Sequence, residues 1–250
     1  MLYLIGLGLS FKDLSVRSLD ILNKCSEVYL ENYTSASDFS LKQLDGLLKK
    51  KVIVLAREAV ETDKPFLLSA KRRNVALLIY GDVLSATTHT EILLDAKQRG
   101  IETKVLHAPS VLTAIAETGL SLYKFGKTAS IPFWEDGFEP ESFFDILSQN
   151  QRIGAHTLFL LDLRPEQKKF MTIKQAIQVL LKIARKRKSK LFTQSTHCIG
   201  CSNLGTEKQI IKAGTAKHLL TKRFETLACL IVPAKLADYE IEFLDALNKI

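Results

Sequence analysis

The sequence predicts an α/β protein made of two α/β domains, and three observations carry that expectation. Short apolar runs alternate with stretches of helical periodicity, the pattern of a parallel sheet with crossover helices. One run, Val75 to Ile79, is apolar throughout, as in a strand covered on both faces. It leads at once into Gly81, Asp82, Ser85, Thr87 and Thr88, so a glycine, a carboxylate and hydroxyls gather at a strand's C-terminal end. Ligands of open α/β sheets sit in the crevice beyond such ends.

Taken in order, Leu2 to Ile5 is a short apolar strand and Gly6-Leu7-Gly8-Leu9 turns out of it. Val16, Leu19 and Leu22 fall on one face of a helix with Ser15 at its N-cap. Glu27 to Leu30 is the second strand. Leu41, Leu44, Leu47 and Leu48 mark a helix, and Val52 to Leu55 the third strand. After the Val75 strand, Ile92, Leu93 and Ala96 define a helix capped by Gly100, and Ile101 to Leu106 is the fifth strand. His107-Ala108-Pro109-Ser110 is punctuation, which sets domains of residues 1–108 and 109–250.

In the second domain Val111 to Glu117 is helical and stops at Gly119. Pro132, Gly137 and Pro140 mark a long loop around Trp134, and a strand covers Thr157 to Asp162. Ile173, Ala176, Ile177, Leu180, Leu181 and Ala184 keep one apolar stripe behind Thr172, the clearest helix of the chain. A strand from Leu191, a helix near His218, a strand from Leu227 to Val232 and a closing helix from Leu236 complete the reading.

Composition narrows the function. The chain has 250 residues, 46% of them hydrophobic, enough for a substantial buried core. No apolar run approaches the ~18 residues of a membrane span, and Met1 to Ile5 has no basic n-region, so the expected setting is the cytoplasm. The formal charge of +8 favours acidic partners without bearing on the fold. Its densest stretch, Arg185-Lys186-Arg187-Lys188-Ser189-Lys190, reads as a solvated helix end, with an acidic or ribosome-bound partner as the alternative.

Several motifs invite chemistry and fall short of it. Cys198-Ile199-Gly200-Cys201 has the spacing of a metal or redox pair, but no second Cys/His pair completes a zinc site. Buried free thiols are therefore expected, and no metal. Gly6-x-Gly8 after a strand suggests a dinucleotide loop, with Glu31 as the ribose ligand, but Phe11 stands where the third glycine belongs. There is no P-loop and no nucleophile elbow. Among the histidines, His89 and His107 stand out because both lie at C-terminal edges of expected strands.

Several segments in register resemble one family, the diphthine synthases, S-adenosylmethionine-dependent methyltransferases similar in fold to the tetrapyrrole methylases. They are Ile5-Gly6-Leu7-Gly8-Leu9, Glu31-Asn32-Tyr33-Thr34-Ser35, Gly81 to His89, His107-Ala108-Pro109-Ser110 and Thr118 to Lys127. The corrin and porphyrin enzymes usually carry Pro-Gly-Asp after the first glycine turn, where this chain has Leu9-Ser10-Phe11. Two departures from the diphthine pattern stand out. Val83 replaces a common proline, and Ile199 to Asn203 lacks the arginine of a stretch resembling Leu-Ala-Arg-Ala-Gly.

The resemblance implies two domains of the tetrapyrrole methylase type, a homodimer, and S-adenosyl-L-methionine held in a cleft between the domains. By position its contacts would fall on Leu9, Asp82, Ser85, Ser110, Val111, Leu161, Ser202 and Ala228. It also implies the substrate, elongation factor 2 bearing a 3-amino-3-carboxypropyl group on one histidine, with no direct contact to nucleic acid or membrane. The family methylates the amino group repeatedly, and its eukaryotic members also methylate the carboxylate.

Methyl transfer from a sulfonium is an in-line displacement that demands positioning more than strong acid–base chemistry. An α-amino acceptor has a reference pKa near 7.7–8.0, so roughly a tenth to a sixth of it is neutral at pH 7. No catalytic base is assigned from the sequence; Asp82 and His89 are candidates to orient the amine or take its proton, or else simply to fix their loop. Two other classes remain open: an enzyme of the same fold acting on a small metabolite or ribosomal RNA, and a binding protein without catalysis.

Overall fold

A computed structural model describes residues 1–33 and 40–247. The chain divides into two compact units, Met1–Ala114 with Arg164–Gln167, and Ile115–Leu163 with Lys168–Ile250.

The first unit is an all-parallel five-stranded sheet. Its strands are β1 (Leu2–Gly6), β2 (Glu27–Glu31), β3 (Ile53–Leu55), β4 (Val75–Ile79) and β5 (Thr103–Leu106), in the order β3-β2-β4-β1-β5. Side chains alternate across a strand, and β4 feeds two cores. Val75, Leu77 and Ile79 pack with Phe66 of α3 (Pro65–Ala70) and Ile92 of α4 (Thr90–Gln98). Ala76 and Leu78 pack with Leu22 of α1 (Val16–Lys24) and Leu44 of α2 (Leu41–Leu48). All five β4 residues are fully buried, which is why the run carries no polar residue.

Two local expectations give way here. Val16 opens α1 under the Ser15 cap but is 76% exposed, and Ser18 takes the buried place on that face, one turn before Leu22. The segment between β3 and β4 also holds a π-helical turn (Ala59–Asp63) and α3, neither of them expected from the sequence. Lys64 sits between the two in a left-handed conformation, so their apolar residues never form one continuous helical stripe.

The second unit has β6 (Ala129–Ile131), β7 (Thr157–Leu161), β10 (His197–Ser202), β11 (Ile210–Thr215) and β12 (Ala228–Val232), in the order β11-β10-β12-β7-β6. Only the β6–β7 pair of this sheet is parallel. A separate ribbon pairs β8 (Leu163–Arg164) with β9 (Lys169–Phe170). α6 (Ser142–Arg152) and α7 (Ile173–Lys186) pack on the sheet through Phe143, Leu147, Ile173, Ile177 and Leu180. α7 starts from a capping box in which Thr172 and Gln175 bond each other's backbone. The helix expected from Val111 is the short α5 (Val111–Ala114), the one near His218 is α8 (Ala216–Leu219), the strand expected from Leu191 begins only at His197, and β6, α6 and β11 were not expected.

The basic stretch at the C-terminal end of α7 is partly neutralised. Lys186 and Arg187 pair with Glu141 at 2.7 and 2.6 Å, and Arg187 also pairs with Asp145. The C-terminal helix α9 (Asp238–Leu247) is fixed by its buried Glu240, which takes the N–H groups of Ser121 (3.1 Å) and Ala237 (2.8 Å) and an ion pair from Lys124. Among the described residues no helix is long and apolar enough to cross a membrane.

Candidate active site

In the first unit the loops after β1, β4 and β5, three neighbouring strands, meet at one edge of the sheet. Gly8 and Gly81 exchange backbone hydrogen bonds of 3.1 and 2.9 Å, which joins the first two loops. The third lies against them: a Cβ built on Gly6 would stand 2.6 Å from the Gly81 carbonyl oxygen and 2.9 Å from Ala108 Cβ. Only a residue without a side chain lets the three loops close on one another. This edge carries Leu9, Asp82, Ser85, Ser110 and Val111, five of the eight positions expected to hold the cofactor.

Asp82 organises the edge. Its Oδ1 accepts from Leu84 N–H (3.0 Å) and the Ser85 hydroxyl (3.1 Å), and its Oδ2 from Ala108 N–H (3.1 Å) and His107 Nδ1 (2.8 Å). A carboxylate has about four acceptor sites, so these partners fill it. Burial alone would raise its pKa, but the four hydrogen bonds, with Leu84 first, hold it below the usual aspartate range. Asp82 is 7% exposed, and of the roles left open by the sequence it takes that of fixing its loop: its oxygens serve that loop and the β5 loop.

His89 also proves structural. It is buried, with Nδ1 donating to the Val83 carbonyl (2.9 Å) and Nε2 in an ion pair with the buried Glu31. Both ring nitrogens face acceptors, which favours the doubly protonated ring. Burial pushes its pKa down, yet Glu31 and the Val83 carbonyl outweigh it and the net shift is upward. His89 therefore cannot take a substrate proton, and Glu31 cannot reach a ribose. The dinucleotide reading fails a second time at Gly8: the N–H groups of Leu9 and Ser10, which would face a pyrophosphate, are bound by Asp13 Oδ2 at 2.8 and 2.9 Å. Thr34 and Ser35 of the motif that follows Glu31 lie outside the described residues.

The other three expected positions gather in the second unit. Leu161 ends β7, Ser202 ends β10 and Ala228 opens β12, and these strands are adjacent. Ser202 and Ala228 are direct cross-strand neighbours, and Cys229 pairs with Leu160, so all three lie at the same end of the sheet. Ser202 is fully buried and its hydroxyl has no hydrogen-bond partner among the described residues. Cys198 and Cys201 lie three apart on a strand and so point to opposite faces, where they cannot share one ion. Cys201 instead faces Cys229 across the ladder, and all four cysteines are buried free thiols.

His107 is the group whose position sequence reasoning left unexplained. Its side chain is 67% exposed while its Nδ1 is held by Asp82. Both residues lie at strand ends, but their contact depends on β4 and β5 flanking β1 from opposite sides, which spacing along the chain does not show.

The family model for tetrapyrrole (corrin/porphyrin) methylases matches residues 1–220. The chain belongs to that family. Within it, the chain is 42% identical over 237 residues to the diphthine methyl ester synthase of Kluyveromyces lactis, covering 88% of this chain and 80% of that protein. It is 38% identical over 240 residues to the diphthine synthase of Methanococcus maripaludis, covering 94% of each. The crystal structure of a diphthine synthase superposes with a TM-score of 0.91 at 31% identity, over all of this chain and 96% of that one. These similarities set the chain in the diphthine synthase branch of the tetrapyrrole methylases, and the fold expected from the resemblance is the fold observed.

Proposed function

We propose that the protein is an S-adenosylmethionine-dependent methyltransferase acting on elongation factor 2, at the amino group of its 3-amino-3-carboxypropyl-modified histidine, in the methylation step of diphthamide biosynthesis. The observation that carries this reading is similarity to diphthine synthases running through both units, at about 40% identity over 88–94% of the chain. It favours this substrate over a small metabolite or ribosomal RNA.

The residues suit the cofactor. Leu9 and Val111 offer half-buried apolar surface, Ser85 is half-buried with its hydroxyl donating to Asp82, and the buried Ser202 hydroxyl is left over as donor and acceptor. These, with Ser110, Leu161 and Ala228, are the proposed contacts, while Asp82 acts by holding the loops that present them. Bound S-adenosylmethionine would supply the methyl group on its sulfonium. In the same reading the protein works as a homodimer in the cytoplasm, which light scattering of the purified protein checks for the dimer.

The deciding experiment incubates the protein and S-adenosylmethionine with elongation factor 2 carrying the modified histidine, and reads the intact mass. Successive single-methyl increments are expected. Calorimetry with S-adenosylhomocysteine measures binding independently. Cofactor binding without any mass gain would leave a binding protein of this fold; no binding at all would overturn the reading.

A further inference from the structure

We propose that His107 is the proton acceptor for the substrate's amino group, held for that task by Asp82. The proposal rests on the function proposed above and adds the residue that the sequence left unassigned.

The geometry is that of an oriented base. Asp82 Oδ2 can only accept, so the 2.8 Å contact requires His107 Nδ1 to carry a proton. In the neutral ring Nε2 then carries the lone pair, and the 67% exposure of the side chain leaves that edge open. A buried carboxylate that fixes the tautomer and orientation of an imidazole recurs wherever histidine moves protons. Other charged groups near this edge are engaged elsewhere. Asp13 is bound by the Leu9 and Ser10 N–H groups, and His89 is turned onto Glu31 and Val83. Among the described residues Asp82 is the charged side chain that meets the His107 ring.

The proton balance shows what such a group is needed for. An ammonium has no lone pair, so each transfer to nitrogen must first break an N–H bond. The proton passes to His107 Nε2, and the freed lone pair forms the N–C bond as the C–S bond breaks and its electron pair stays on sulfur. The imidazolium then returns its proton to water. A carboxylate acceptor already carries its lone pairs and releases no proton when it becomes a methyl ester. His107 therefore assists methylation at nitrogen and has no part in ester formation. Its contribution has a ceiling, because roughly a tenth to a sixth of an α-amino group is neutral at pH 7 without help.

The test uses His107→Asn, whose side-chain amide keeps a donor for Asp82 but offers no basic nitrogen. Single-turnover methylation of the amine at pH 7 is expected to slow about six- to tenfold. The deficit should vanish near pH 9, where the free amine is already neutral, and the affinity for S-adenosylhomocysteine should stay within twofold of wild type. Ester formation on a substrate that already carries the trimethylammonium should keep its wild-type rate. Nitrogen chemical shifts of the wild-type imidazole should show Nδ1 protonated in the neutral ring. Wild-type amine methylation by the variant at pH 7, an equal loss at pH 7 and 9, or an equal loss in both acceptor reactions would overturn the proposal. If the wild-type protein itself methylates nothing, the functional reading has failed and this one with it.

Discussion

His156 donates its Nε2–H to Glu240 Oε1 at 3.2 Å, across 84 residues of sequence, while its Nδ1 accepts the N–H of Ala234 at 3.0 Å. One nitrogen must carry a proton and the other must not, so the ring is neutral, and burial keeps its pKa below the usual histidine range. His89 is the opposite case: both of its nitrogens face acceptors. Two buried histidines in one chain are thus shifted in opposite directions, His156 downward by burial and His89 upward by Glu31 and the Val83 carbonyl.

The second unit should be acid-labile. Burial would raise Glu240, but Lys124, the N–H groups of Ala237 and Ser121, and His156 bring it down to about 2. A depressed acid stabilises the fold above its ordinary value and loses that contribution as pH falls through the lowered one. His156 has the same sign, from its ordinary 6.5 downward. Denaturant unfolding at pH 7, 5 and 3 should show a falling midpoint for this unit. Glu240→Ala should cost about 1–3 kcal/mol at pH 7 by removing the acceptor that Lys124 and the Ser121 and Ala237 N–H groups share, and should flatten the acid slope.

His89, in the first unit, contributes in the other direction. A histidine whose pKa is raised stabilises the fold below its ordinary value, and that contribution is lost as pH rises through the raised one. His89→Gln should remove the alkaline loss together with the ion pair to Glu31. Nitrogen-resolved NMR should find both N–H groups of His89 near neutral pH and one on His156. A singly protonated His89 at pH 6 would contradict the assignment.

Gly6→Ala should disrupt the strand-end loops. The new methyl would have to push back a backbone carbonyl at Gly81 and a methyl at Ala108, at a cost of roughly 1–3 kcal/mol. Because those loops carry Leu9, Ser85 and Ser110, affinity for S-adenosylhomocysteine should fall at least tenfold by calorimetry. Gly46→Ala, on α2 with open space at the Cβ position, is the control that should leave affinity unchanged.

Asp82→Asn tests the carboxylate itself. One oxygen is replaced by an amide that donates, and it would meet either the Leu84 N–H and Ser85 hydroxyl or the Ala108 N–H and His107 Nδ1–H. Methyl transfer should fall at least tenfold, about 1.4 kcal/mol in the barrier. Because four hydrogen bonds converge there, stability should fall by about 1.5–3 kcal/mol as well, which thermal unfolding would register. Full activity together with full stability would show that the four bonds contribute nothing.

Much of the fold was legible from the residues. A buried parallel strand needs an unbroken apolar run, and Val75 to Ile79 supplies one; Ser15 and Thr172 announced their helices by capping. The missed elements share a physical cause. α3 follows a π-turn that breaks helical phase, and β6 and β11 are short or only half-buried, so neither shows a clean period. The candidate site divides in the same way. Strand-end positions could be read along the chain, but whether Asp82 and His89 face a ligand or the ends of neighbouring strands depends on which strands are neighbours. Glu31 drew attention as a ribose ligand for its place at a strand end, and the same place brings it to His89.

The central position of β1 bears on how the chain comes to fold. Leu2 to Ile5 is enclosed only when Val75–Ile79 and Thr103–Leu106 arrive on either side of it. At ~5–20 residues per second of synthesis, the wait from β1 to β5 is about 5–20 s. Until β4 arrives both edges of this apolar strand are unpaired, and until β5 arrives one still is, open to any other extended chain nearby. Aggregation during expression should therefore begin at this segment, in the nascent chain, before any weakness of the finished fold is felt.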